Sequence, residues 1–148
     1  MAVLDLGNAV AVVPMHSPAS FSADRDGNSV DTVNFAYALI VINLGDIFSG
    51  ETVTFHIEHS ETSGGTYTAC KKLNSSDDAT TAAFRNIQDN TCQIIRVDLN
   101  NTKRFIRARA NHSASNAHLY GVTMVLMPYQ TDATSPDSGA ASAPIFEI

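Results

Sequence analysis

Val33-Asn34-Phe35-Ala36-Tyr37-Ala38-Leu39-Ile40-Val41-Ile42 and Thr52-Val53-Thr54-Phe55-His56-Ile57-Glu58-His59 stand on either side of Gly45-Asp46-Ile47-Phe48-Ser49-Gly50. Successive side chains of a strand point to opposite sides of its sheet, so an alternation with period two marks a strand. In the second run Val53, Phe55 and Ile57 point one way, and Thr52, Thr54, His56 and Glu58 the other, as in a half-buried strand. The first run is apolar on both faces, because Ala36, Ala38, Ile40 and Ile42 back the larger side chains. Such a strand belongs between two layers or in a subunit interface.

Working outward, residues 3–13 read as a first strand stopped by Pro14. Ser17-Pro18-Ala19-Ser20 reads as a loop and Asp24-Arg25-Asp26-Gly27-Asn28 as a turn. Strands are expected near 33–44, 52–60, 66–73, 91–99, 102–110 and 119–127, with a polar, irregular stretch over 74–90 that holds a helical turn near 81–86. Asn100-Asn101 suggests a tight hairpin between two of these strands. The expected core includes Phe35, Leu39, Val41, Val53, Phe55, Ile57, Ile106, Val122 and Met124.

Short strands separated by turn signals, with no helical pattern between them, predict an all-β fold: a single-domain antiparallel β-sandwich or jelly roll. It would occupy residues 1–128, of which 1–20 form an N-terminal strand and loop. From residue 129 onward the chain is rich in Ala, Ser, Thr and Pro and reads as an extended C-terminal arm over 129–148. On an extended chain Phe146 and Ile148 share a side, so Ile145, Phe146 and Ile148 are candidate partner-binding residues for a groove on a neighbouring subunit.

A chain of 148 residues suits one domain, and 44% hydrophobic with 16% charged residues is a globular composition. A net charge of −6 argues against a nucleic-acid partner, which calls for clustered Lys and Arg. Among the basic residues Lys103, Arg104, Arg107 and Arg109 cluster. On a strand, Lys103, Phe105, Arg107 and Arg109 share a face, a small basic stripe that is either solvated or a contact for an acidic partner. Lys103, Arg107 and Arg109 therefore join the candidate partner-binding residues. No apolar stretch approaches the ~20 residues that span a bilayer as a helix. The N-terminus lacks a positive region before its apolar residues, so manufacture in the cytoplasm and no membrane partner are expected.

Chemistry-bearing patterns are sparse. Cys70 and Cys92 could face each other across a long hairpin, but a reducing compartment argues against a disulfide, and the absence of CxxC argues against zinc. His56 and His59 face opposite sides of one strand. His112 and His118 flank a loop that could bring them together, with no carboxylate nearby in sequence to complete a metal site. Asp77-Asp78 matches no calcium loop. Asn74-Ser75-Ser76, Asn100-Asn101-Thr102 and Asn111-His112-Ser113 match the glycosylation pattern, which needs a secretory route to matter. No nucleophile elbow and no phosphate-cradling glycine loop occur. The expectation is a non-enzyme with no cofactor and no metal.

The run Ser22-Ala23-Asp24-Arg25-Asp26-Gly27-Asn28-Ser29-Val30-Asp31-Thr32, then Phe35, the apolar strand ending at Asn43 and Gly45, resembles small β-rich structural proteins of tailed bacteriophages and prophages. The turn Ile57-Glu58-His59-Ser60-Glu61-Thr62-Ser63-Gly64-Gly65-Thr66-Tyr67 and the strand Lys103-Arg104-Phe105-Ile106-Arg107 extend the resemblance over about residues 20–125. It implies a virion structural protein, most often a capsid decoration (cement) protein that binds across major capsid subunits and stabilises the shell. Its implied partners are the major capsid protein and further copies of itself, as a homo-oligomer, with a homotrimer the arrangement that the resemblance implies. A tail, baseplate or head–tail adaptor protein, and a carbohydrate-binding host-attachment sandwich, are the alternatives. The absence of Trp weighs against sugar stacking, although Tyr37, Tyr67, Tyr120 and Tyr129 remain.

Overall fold

The computed structural model describes residues 10–128. Nine strands make up the described fold: β1 (Ala11–Phe21), β2 (Arg25–Asp26), β3 (Val30–Asp31), β4 (Phe35–Leu44), β5 (Val53–Ser60), β6 (Thr68–Ala69), β7 (Cys92–Asp98), β8 (Phe105–His112) and β9 (His118–Pro128). They form two antiparallel sheets. One, here sheet A, has the order β1-β9-β4-β7; the other, sheet B, has the order β2-β8-β5-β6, with β3 also paired to β8. If β2 and β3 count as one interrupted strand, the chain crosses between sheets at nearly every connection. That is the topology of a jelly roll.

The interior is made by the alternating positions of both sheets. Ala38, Ile40, Ile42, Ile95, Val97, Val122, Met124 and Leu126 from sheet A meet Val53, Phe55, Ile57, Ile106, Ala108 and Ala110 from sheet B, all essentially inaccessible to solvent. Val53, Phe55, Ile57, Ile106, Val122 and Met124 lie where the sequence pattern puts them. Phe35, at the start of β4, is partly buried and packs against this core. Leu39 and Val41 do not join it: they occupy the outer phase of β4 and are only partly covered, while Ala36, Ala38, Ile40, Ile42 and Leu44 point inward. A strand apolar on both sides carries no internal mark of which side is inside. Here the phase is set by register, because Ala38 and Ile40 lie level with inward-facing Val97 and Ile95 on one neighbour and with Leu126 and Met124 on the other.

Four further expectations are corrected. The first strand is not 3–13 stopped by Pro14: β1 runs through both Pro14 and Pro18. It lies at the edge of sheet A, where a missing N–H can face solvent without breaking a ladder. Register shifts after Pro14 and His16 let the consecutive residues Met15 and His16 both turn inward. The strand expected over 66–73 is reduced to Thr68–Ala69. The hairpin at Asn100-Asn101 does not form, because β7 belongs to sheet A and β8 to sheet B. A 3-10 turn, Leu99–Asn101, carries the chain across, with Leu99 buried and the Asp98 side chain accepting the Asn100 N–H. The helical turn expected near 81–86 is a 3-10 turn at Asn86–Gln88.

Candidate functional site

Three features of the described residues bear chemistry or unusual surface. Each is built by strands distant in sequence.

The basic stripe lies on the outer face of sheet B. Along β8, Ile106, Ala108 and Ala110 point in, so Phe105, Arg107, Arg109 and Asn111 point out. Arg107 lies directly opposite Glu58 on β5. Its Nε and Nη2 both meet Glu58 Oε2 at 2.8 Å, and its Nη1 meets Asp26 Oδ2 at 3.0 Å. The guanidinium also lies 4.1 Å from the centre of the Tyr67 ring, a cation–π distance. Arg109 donates to Asn111 Oδ1 at 3.1 Å and lies 3.8 Å from Asp26. Arg104 forms a two-pronged pair with Asp31 at 2.9 and 2.7 Å, which holds the Asp31 carboxyl below its usual range. Lys103, just before β8, donates its backbone N–H to His59 Nδ1 at 3.2 Å. Arg107 is thus matched by acids of this chain, in contacts that one-dimensional spacing does not reveal. Ile145, Phe146 and Ile148 lie outside the described residues.

A histidine–tyrosine cluster fills one end of the interior. His112 and His118 do come together, with ring centres 5.0 Å apart and planes nearly perpendicular. The missing carboxylate is present after all: Glu51, from the β4–β5 connection, places Oε2 3.1 Å from His118 Nε2. His118 is fully buried, and its Nδ1 accepts the Phe48 N–H at 3.1 Å, which puts the ring proton on Nε2 facing Glu51. Asn116 donates to the other Glu51 oxygen. His112 Nε2 meets the Tyr120 hydroxyl at 3.0 Å, and His16 donates from Nε2 to the Ala108 carbonyl at 2.8 Å, linking β1 to the opposite sheet. Tyr120 stacks edge-on against His16, His112 and Phe55. Burial lowers the pKa of His16 and His112, and raises that of Tyr120. A side chain at Gly27 would collide with Ala108 O and His16 Nε2, so this approach of β1 to sheet B needs glycine. His16 lies between Pro14 and the Ser17–Ser20 loop, and Glu51 between Gly50 and the strand from residue 52, so neither falls in a pattern that singles it out.

Among the described residues no three His, Cys, Asp or Glu side chains are arranged to hold a metal. His56 and His59 do face opposite sides: His56 lies between Thr80 Oγ1 and Asn111 Nδ2, away from His59. Asp78 is paired with Lys71. Cys70 and Cys92 are both free thiols; Cys70 is buried and its pKa is pushed up to about 12 by desolvation, while Cys92 is exposed. No described helix is long and apolar enough to cross a membrane.

The third feature is the outer face of sheet A. Its side chains are Val12 and Pro14 from β1; Leu119, Thr123, Val125 and Met127 from β9; Tyr37, Leu39, Val41 and Asn43 from β4; and Cys92, Ile94, Arg96 and Asp98 from β7. Cross-strand rows are apolar over three of four strands, Val12–Val125–Leu39–Arg96 and Pro14–Thr123–Val41–Ile94. Val12 is 64% exposed, Tyr37 51% and Leu119 43%.

No family model matches this chain, and no curated protein matches it. Solved structures do. The SPBc2 prophage-derived protein YomS superposes with a TM-score of 0.51 at 14% identity, over 79% of this chain and 91% of that one. The PBSX exported protein XepA superposes with a TM-score of 0.55 at 15% identity, over 97% of this chain; the chain spans 45% of XepA's length. At these identities the likeness is one of fold.

Proposed function

We propose that this chain is a structural protein of a bacteriophage virion, acting by binding and not by catalysis, and that its position is the outside of the capsid shell. The observation that carries this reading is the jelly-roll sandwich shared with prophage-derived YomS over nine-tenths of that protein. The sequence resemblance to small β-rich virion proteins supports it further. As a decoration protein it would span neighbouring major capsid subunits and add buried area that resists expansion of the shell. The tail or adaptor reading shares the same fold and differs in symmetry and number.

The test is the copy number of the protein per purified particle, measured by quantitative mass spectrometry against the major capsid protein. Copies on the order of hundreds are expected for shell decoration, because each symmetric shell site repeats. About a dozen would move the protein to the tail or adaptor. Absence from purified particles overturns the virion reading.

A further inference from the structure

We propose that the outer face of sheet A is where a second copy of this chain docks, face to face, burying the Val12–Val125–Leu39 and Pro14–Thr123–Val41–Ile94 rows between two sandwiches. The proposal does not rest on the virion reading, and it is tested on purified protein alone.

Three properties of the face favour a second copy. The first is area. Strands spaced ~4.8 Å apart and rising ~3.3 Å per residue make a four-stranded face of this length on the order of 600 Å². Two such faces bury about 1,200 Å² in total, the lower end of specific, stable interfaces.

The second property is composition. Leu39, Val41, Thr123 and Val125 form an aliphatic centre with Tyr37 beside it, and Asn43, Arg96 and Asp98 lie toward the margins. An apolar, aromatic-containing centre with a polar rim is the anatomy of a protein–protein contact. Sugars would call for more hydrogen-bonding groups at the centre.

The third property is charge. A two-fold contact sets the same patch against itself, so any net charge on it would meet its own sign. Arg96 and Asp98 are the charged side chains among the described residues of this face, and they are opposite in sign on one strand. The described charges of the face cancel, although the whole chain carries −6. Association through it therefore tightens as salt screens the repulsion between two acidic molecules, where an interface built on ion pairs would weaken.

The experiment is the solution mass of the full chain by sedimentation and light scattering, from low to high micromolar concentration and at low and high salt. A dimer is expected, or a larger assembly of even number, that tightens with salt. Val125→Glu and Leu39→Lys should each raise the dissociation constant at least tenfold while the far-UV spectrum stays that of the folded domain. Thr123→Arg provides a third disruption should either of those fail to fold. Arg107→Gln, on the opposite sheet, should leave the mass unchanged. A wild-type monomer throughout overturns the proposal. So does a trimer, which a two-fold face cannot close, and so does an assembly whose mass all the sheet A variants leave unaltered.

Discussion

The two outer faces of this sandwich are built on the same pleat and have opposite chemistry. On sheet B the outward side chains of β8 and β5 are, apart from Phe105, polar and largely engaged with neighbours in this chain: Arg107 with Glu58 and Asp26, His56 with Thr80 and Asn111. Such a face needs nothing else; covering it would desolvate paired charges for little return. On sheet A the outward side chains of β9 and β4 are mainly aliphatic and aromatic; Tyr37 and Leu119 are exposed, and Leu39, Val41, Val125 and Met127 are partly exposed. Covering that face is favourable at roughly 25 cal/mol per Å² of apolar area before the costs of association. The difference teaches where each sheet's outward residues act: within the chain on sheet B, and between chains on sheet A.

The largest expected effect comes from the interior that both sheets share. Phe55 is fully buried and meets Tyr120 edge-on at 5.1 Å. Phe55→Ala should destabilise the domain by about 3–5 kcal/mol in urea unfolding, whichever face is covered. A loss below 1 kcal/mol would mean the sheets are not packed through this ring.

Acidification comes next. The pKa of His16 and of His112 is lowered in the folded state, chiefly by burial, and that of His59 likewise. Below the ordinary histidine value of 6.5 the unfolded chain then binds more protons than the folded one, so stability rises with pH in that window. It should be level between about pH 6.5 and the ordinary cysteine value of 9.0, above which the raised Cys70 and Tyr120 pKa values make it fall again, and it should drop as the pH goes below 6.5. Melting temperatures across this range check the direction, and a His16→Gln variant should show a shallower slope. Stability that rises on acidification would contradict the burial of His16 and His112.

On sheet B, Glu58→Gln removes the acid facing a mostly buried Arg107, leaving Asp26 and the Tyr67 ring as its partners. A loss of about 1–2 kcal/mol in domain stability is expected, with no change in self-association. On sheet A the pattern reverses: Val125→Thr should shift free-domain stability by less than about 0.5 kcal/mol, while weakening association. If the two variants behave alike in both assays, the contrast between the faces is broken.

Much of the fold was legible because β5, β8 and β9 place their inward residues in register with the pattern. Val53, Phe55 and Ile57 alternate with polar neighbours, and only one phase buries them well. β4 offered no such alternation, and its phase came from Ile95, Val97, Met124 and Leu126 on two other strands. β1 was obscured by prolines, which mark interruption in a central strand but are tolerated at an edge. The Asn100-Asn101 turn looked like a hairpin because local sequence does not say whether a tight turn stays in one sheet or changes sheets. At the candidate sites, the meeting of His112 and His118 could be read from the loop between them. Glu51, His16 and the acids that neutralise Arg107 come from elements 50 or more residues away from their partners in several cases, and only the assembled sandwich joins them.

The central claim is that one face is covered and the other is not, and thiol labelling tests it directly. In a Cys92→Ser background, with buried Cys70 slow to react, the reactive thiol is introduced by Thr123→Cys on sheet A or by Thr54→Cys on sheet B. At a concentration where the chain is associated, the thiol from Thr123→Cys should react at least tenfold more slowly than on dilution. Adding Val125→Glu should remove that protection, while the thiol from Thr54→Cys reacts at one rate under all three conditions. Equal rates for the sheet A thiol in concentrated, diluted and Val125→Glu protein would contradict the account.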